Sequence, residues 1–111
     1  MINARVDNFL SPFIAGADPE TQRKLVPEAL ERASAYLDAG ADCVYPIALW
    51  EIEALGRFMS DVRGPVNVTR VPQVSSLGDL VSYGVSRVSW ALYLFFGSMT
   101  HFEDQLRSLK N

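Results

Sequence analysis

Four stretches of strand character, each followed by a helical stretch and none joined by a hairpin-type turn, predict an α/β fold with a parallel sheet. The composition agrees: 111 residues, 49% hydrophobic and 21% charged, are one globular domain of ordinary make-up. Right-handed crossovers place the helices on one face for a barrel, or on both faces for a doubly wound sheet. Periodicity does not choose between the two.

The first strand is expected over Met1–Val6, followed by a loop over Asp7–Gly16 that holds Phe9, Leu10, Phe13 and Ile14. Asp18-Pro19-Glu20 combines a cap, a proline and an early acid, which is a helix start. Ala29, Leu30, Ala33, Tyr36 and Leu37 then repeat at i, i+3, i+4 and mark one buried face. Pro27 is expected to divide this region into a short helix and a main one, with Gly40 as the C-terminal stop. Cys43–Pro46 is the second strand. A second helix places Leu49, Ile52, Leu55, Phe58, Met59 and Val62 inward and closes at Gly64-Pro65. Val66–Thr69 is the third strand, and Ser76-Leu77-Gly78-Asp79 is a capping box that opens a short helix to Tyr83. Gly84 stops it, and Val85–Trp90 is the fourth strand. The last helix starts near Ala91 and keeps Met99, Phe102, Leu106 and Leu109 on one stripe.

Several function classes drop out on composition. Ten basic residues against 13 acidic ones give a net charge of −3, and the basic residues are scattered, which argues against a nucleic-acid partner. The longest apolar run, Trp90–Phe96, is far short of the roughly 20 residues that span a membrane. Met1–Leu10 carries Asn3, Arg5 and Asp7 in place of a signal-peptide core. One cysteine, Cys43, allows no internal disulfide and no zinc pair, so the reducing cytoplasm is the expected compartment. A parallel strand at the start of the chain and two open sheet edges lead us to expect the end of a longer fold.

An ordered set of motifs is more specific. Asn3-Ala4-Arg5-Val6-Asp7, Ala29-Leu30-Glu31-Arg32-Ala33, Ala39-Gly40-Ala41-Asp42-Cys43-Val44, Gly64-Pro65-Val66-Asn67-Val68, and Leu80 through Gly84-Val85-Ser86-Arg87-Val88-Ser89 follow one another along nearly the whole chain. In this series the sequence resembles the isocitrate lyase/phosphoenolpyruvate mutase superfamily. The resemblance implies the last four βα units of a (β/α)8 barrel, with residues 1–111 as a single partial-barrel domain. It also implies Mg2+-dependent cleavage or rearrangement of C–C or C–P bonds in small 2-oxo or hydroxy acids, with Mg2+ as the cofactor of the intact barrel. The family's metal-binding carboxylates and gating loop belong to earlier strands, so no catalytic or metal-binding residue is assigned to this chain.

The same resemblance gives Arg5 the clamping of a substrate carboxylate or phosphonate, for which a planar guanidinium is suited. The alternative is an ion pair with Asp7 or Asp42. Asn67 and Thr69 match an Asn-x-Thr that holds substrate, the alternative for Asn67 being strand-end hydrogen bonding. Arg70 stands where lyase-type members have an acid. Ile47, directly after Tyr45-Pro46, stands where the lyase branch has a glutamate, which argues against isocitrate or methylisocitrate cleavage. Cys43 reads as buried and inert, His101 as solvated off the last helix's stripe, and Ser75-Ser76 as either an anion site or a simple cap. The apolar run Trp90–Phe96 needs burial on several sides. Alone the chain is expected to be inactive, taking a homo-oligomer or a complementary half-barrel as partner. A non-catalytic, self-associating half-barrel is the alternative function. An independent flavodoxin-like domain ranks last, for want of a Gly-rich loop after the first strand.

Overall fold

Short extended stretches between helices, each with a valine directed at the core side, give four strands in a computed structural model that describes residues 1–71 and 76–110. The order is β1 (Asn3–Val6), α1 (Leu10–Ile14), α2 (Pro19–Asp38), β2 (Cys43–Pro46), α3 (Ile52–Asp61), β3 (Asn67–Thr69), α4 (Leu77–Ser82), β4 (Arg87–Ser89) and α5 (Tyr93–Ser108). β1 pairs with β2 in parallel, with Asn3 opposite Cys43 and Val6 opposite Pro46. β3 pairs with β4 in parallel, with Asn67 opposite Arg87 and Thr69 opposite Ser89. A single parallel bridge, Val44 to Val66, joins the two pairs, and there the Val44 N–H donates to the Pro65 carbonyl at 3.1 Å. The strands therefore lie side by side in chain order.

Alternation along each strand gives the sheet two unlike faces. Val6, Val44, Val66 and Val68 pack with Val26, Ala29 and Ala33 of α2, Ala54, Leu55 and Phe58 of α3, and Leu80 of α4 into one buried cluster. The other face carries Asn3 and Arg5, Cys43 and Tyr45, Asn67 and Thr69, and Arg87 and Ser89, strand by strand. Helices cover the first face, and polar side chains make up most of the second.

The capping of α2 is as expected: the Asp18 carboxylate accepts from the Thr21 N–H at 3.0 Å and from its hydroxyl at 2.9 Å. The expected break at Pro27 is absent, since α2 runs unbroken through it. Proline removes one backbone donor, but Gln22, Val26, Ala29 and Ala33 are buried on both sides of it and hold the helix together. Replacing Pro27, which is exposed, with alanine restores that donor. Stability should rise by about 1–2 kcal/mol, less than the full helix-propensity difference because the unfolded chain also gains freedom; a denaturation midpoint that falls would contradict this account. Gly40 takes φ +108° just after α2, a left-handed conformation that ends the helix. Gly64 allows close approach by Leu37: a Cβ there would sit 2.8 Å from Leu37 Cδ2, so the leucine would have to shift to admit one.

Three other expectations are corrected. The loop Asp7–Gly16 contains the short helix α1, which tolerates Pro12 because the first-turn N–H groups have no partner in any case. α3 begins at Ile52, so Leu49 is buried ahead of the helix while Ile52 is 42% exposed. The cause is Glu51, whose carboxylate caps the helix and fixes its first turn. The stripe Met99, Phe102, Leu106 and Leu109 is exposed, as are Leu92, Leu94, Phe95 and Phe96, and α5 contains no buried residue. The radius of gyration, 16.2 Å, exceeds the roughly 13 Å of a compact domain of this length. α5 accordingly extends a molecule measuring 58 × 32 × 25 Å.

Candidate functional site

Parallel strands present their carboxyl ends together, and in such sheets ligands bind there. Arg5 is the third residue of β1 and stands beside Tyr45 in register. Its Nε lies 2.7 Å from Asp7 Oδ1, and its NH2 group donates to Asp7 Oδ2 at 3.1 Å. Both side chains are about half exposed, so this pair contributes at most about 1 kcal/mol and leaves the guanidinium free to exchange partners. Asp42, the other candidate partner, instead accepts from the Ile2 N–H at 2.7 Å.

From Tyr45 the polar face continues without interruption. The Tyr45 hydroxyl is 2.8 Å from Thr69 Oγ1, which also accepts from the Ala48 N–H at 3.3 Å. Thr69 stands opposite Ser89 in register. The Asn67 amide is buried, and both of its ends meet the Ser89 hydroxyl: Nδ2 donates at 2.9 Å, and Oδ1 accepts at 3.1 Å. Asn67 thus bonds to a side chain of the next strand, not to strand-end backbone, and its 1% exposure keeps it behind Ser89. Thr69 opens onto a cavity of about 380 Å³ that is otherwise lined mainly by hydrocarbon. A second depression, at the opposite ends of the strands between Leu37, Asp38, Arg63 and Gly64, holds none of these groups.

Tyr45, Ser89 and the Ala48 N–H were not among the expected site residues. The period-two parity that puts Tyr45 with Cys43, and Ser89 with Arg87, was the signal that identifies the two side chains. Ala48 adopts φ 67°, a left-handed conformation that costs a non-glycine residue about 1 kcal/mol or more. Gln22, buried in α2, holds it there. Its Nε2 donates to the Ala48 carbonyl at 2.7 Å, and its Oε1 accepts from the N–H groups of Trp50 and Glu51 at 3.0 and 2.9 Å.

Glu51 completes this support. Its carboxylate accepts from the Glu53 N–H at 3.2 Å and the Ala54 N–H at 2.7 Å, and Arg23 lies against it at 3.3 Å. Burial pushes its pKa up, but the Ala54 N–H, Arg23 and the Glu53 N–H together outweigh burial and hold it below the ordinary glutamate value. Arg70 lies with its guanidinium 5.4 Å from the Trp90 ring centroid and donates to the Val71 carbonyl at 3.3 Å. Cys43 is buried, and desolvation raises its thiol pKa, which disfavours the reactive thiolate. His101 is exposed on α5. Ser76 accepts from the Asp79 N–H at 3.1 Å in the capping box, while Ser75 lies outside the described residues.

A family profile described as phosphoenolpyruvate phosphomutase matches residues 1–110. The chain belongs to the phosphoenolpyruvate phosphomutase family. Family membership places it in the isocitrate lyase/phosphoenolpyruvate mutase superfamily, in agreement with its ordered motifs. Among solved structures, a Burkholderia cenocepacia J2315 protein assigned as a phosphonomutase is similar over 97% of this chain, at 30% identity and a TM-score of 0.81. A second protein from that organism, assigned as a lyase/mutase, is similar over 98% of this chain, at 27% identity and a TM-score of 0.76. The family member described here spans 42% and 36% of those two chains. A search of curated proteins finds no match.

Magnesium is the metal associated with this phosphomutase family, and the described residues do not form a site for it. Among the described residues, no three His, Cys, Asp or Glu side chains converge. The carboxylates nearest the strand ends are engaged elsewhere, Asp7 with Arg5 and Glu51 with Arg23 and the first turn of α3. No helix among the described residues of this phosphomutase relative is long and apolar enough to cross a membrane.

Proposed function

We propose that this chain is the substrate-positioning sector of a phosphoenolpyruvate mutase-type (β/α)8 barrel, formed by its last four βα units. Barrels of this family cleave or rearrange C–C or C–P bonds of small 2-oxo or hydroxy acids with Mg2+. What carries the reading is the shared polar face, on which Arg5, Tyr45, Thr69 and Ser89 run side by side across four parallel strands. A parallel sheet is ordinarily covered on both faces by helices; a wall with helices on one face and polar groups on the other suits a barrel interior. The free thiol of Cys43 suits a reducing cytoplasm.

In this role Arg5 exchanges Asp7 for the carboxylate or phosphonate of the substrate, a bidentate charge-assisted pair. The Thr69 and Tyr45 hydroxyls orient a second oxygen, and Asn67 fixes the direction of the Ser89 hydroxyl. Metal and acid–base groups come from outside this chain, so the chain alone is inactive. The exposed apolar face of α5 favours association with a second copy or with a complementary half-barrel.

Two measurements test this. The purified chain supplied with Mg2+ should show no lyase or mutase turnover, and turnover abolished by Arg5→Ala would refute the assignment of the chemistry to absent groups. In titrations followed by NMR, small 2-oxo acids should bind the chain, and Arg5→Ala should weaken them roughly 10- to 100-fold, the scale of a lost charged hydrogen bond. Unchanged affinity would remove Arg5 from the site.

A further inference from the structure

The polar row explains how an acid group is held, but not the cavity beside it. This cavity, of about 380 Å³, is bounded by the segments that follow all four strands: Phe13 after β1, Ile47 and Ala48 after β2, Val71 after β3, and Leu92 and Phe96 after β4. Its size is at the lower end of the range for small-molecule sites. Thr69, at its edge, is held by Tyr45 and the Ala48 N–H, so the cavity adjoins the polar row at Thr69.

Backbone strain is concentrated on the same wall. Among the described residues, the non-glycine positions with positive φ are Ala48, at 67°, and Ala91, at 49°, and both line this cavity. Such conformations persist only where the surroundings enforce them, and they gather at ligand sites. At Ala48 the enforcing group is Gln22, which is only 3% exposed. A charged or hydroxylated ligand part placed against the buried Val71 and the half-buried Ile47 would give up water for hydrocarbon. A hydrocarbon part would gain from the transfer.

We infer that this cavity takes the hydrocarbon substituent of the substrate, so that the ligand is a small 2-oxo or hydroxy acid bearing an alkyl tail. The inference rests on the proposed anchoring of the acid by Arg5 and adds the tail's site. Ile47 and Val71 set the preferred tail, and Thr69 marks the junction between acid and tail.

The test is a titration of the full chain with unbranched 2-oxo acids from pyruvate to 2-oxooctanoate, alongside neutral 2-alkanones of the same lengths. Affinity of the acids should rise roughly two- to fourfold per added methylene, the scale of moving one CH2 out of water, until the cavity is full. Ile47→Ser should lower the affinity of the longest acids roughly tenfold. Leu92→Ser, at an exposed position that does not threaten folding, should reduce the gain per methylene as well. Acids that bind through Arg5 with no dependence on length would overturn the cavity assignment and leave the anchor intact. Ketones that bind with the length dependence, while acids of every length fail, would overturn the anchor and keep the cavity. Neither series binding would overturn both, and cross-linked dimers in that case would identify a second copy as the occupant.

Discussion

Gln22→Ala should destabilise the protein by about 3 kcal/mol, lowering the melting temperature by roughly 15 °C. The side chain has one amide, and three buried or half-buried backbone groups use it: the Ala48 carbonyl and the N–H groups of Trp50 and Glu51. Truncation leaves all three without a protein partner, at about 1–3 kcal/mol for each that water does not reach. The same loss frees Ala48 to relax from φ 67°, which withdraws its N–H from Thr69. Binding of 2-oxo acids should therefore weaken in Gln22→Ala even under conditions where the variant is folded. A loss below about 1 kcal/mol in chemical denaturation would mean that the loop holds its own shape and that Gln22 is incidental.

Glu51→Ala should cost about 2–3 kcal/mol at neutral pH. It removes the N-cap of α3, for which about 1 kcal/mol is typical, and it takes the carboxylate away from Arg23, a partly exposed partner whose share is screened by solvent. The pH dependence separates charge from shape. Because folding lowers the Glu51 pKa, its stabilisation is present above the unfolded value, about 4.3, and is lost as pH falls through the lower folded value. Asp18 acts in the same direction, its pKa lowered first by the Thr21 N–H and then by the Thr21 hydroxyl. In urea titrations, the gap between wild type and Glu51→Gln should be constant near neutrality and shrink below about pH 4. A gap that stays constant down to pH 3 would show that the charge contributes nothing and that only the hydrogen bonds matter.

The strands and the capped helices were legible because their determinants are local. Asp18-Pro19, the Ser76/Asp79 box and Gly84 each act within a single turn of chain, and each marks the boundary expected of it. Pro27 misled because the competing influence is tertiary: burial of Val26 and Ala29 outweighs one missing donor. The same holds for Gln22, whose importance depends on a loop 26 residues away. Arg5, Asn67 and Thr69 could be chosen by resemblance and do lie on one face of the sheet. That Asn67 sits behind Ser89, and that Tyr45 bridges toward Thr69, follows only from register between strands, which no local pattern encodes. The exposed stripe of α5 was visible as periodicity, but periodicity marks an apolar face without naming what covers it.

The chain-order arrangement of the strands has a further consequence for how the protein is made. β2 docks on β1 and β4 on β3, each on a strand that left the ribosome a few seconds before it at ordinary rates of synthesis. Among these four strands, each one pairs with the strand made before it. The weakest seam is the single bridge from Val44 to Val66. With one bridge between them, the β1–β2 and β3–β4 pairs depend for their alignment on the core cluster that both share beneath α2 and α3.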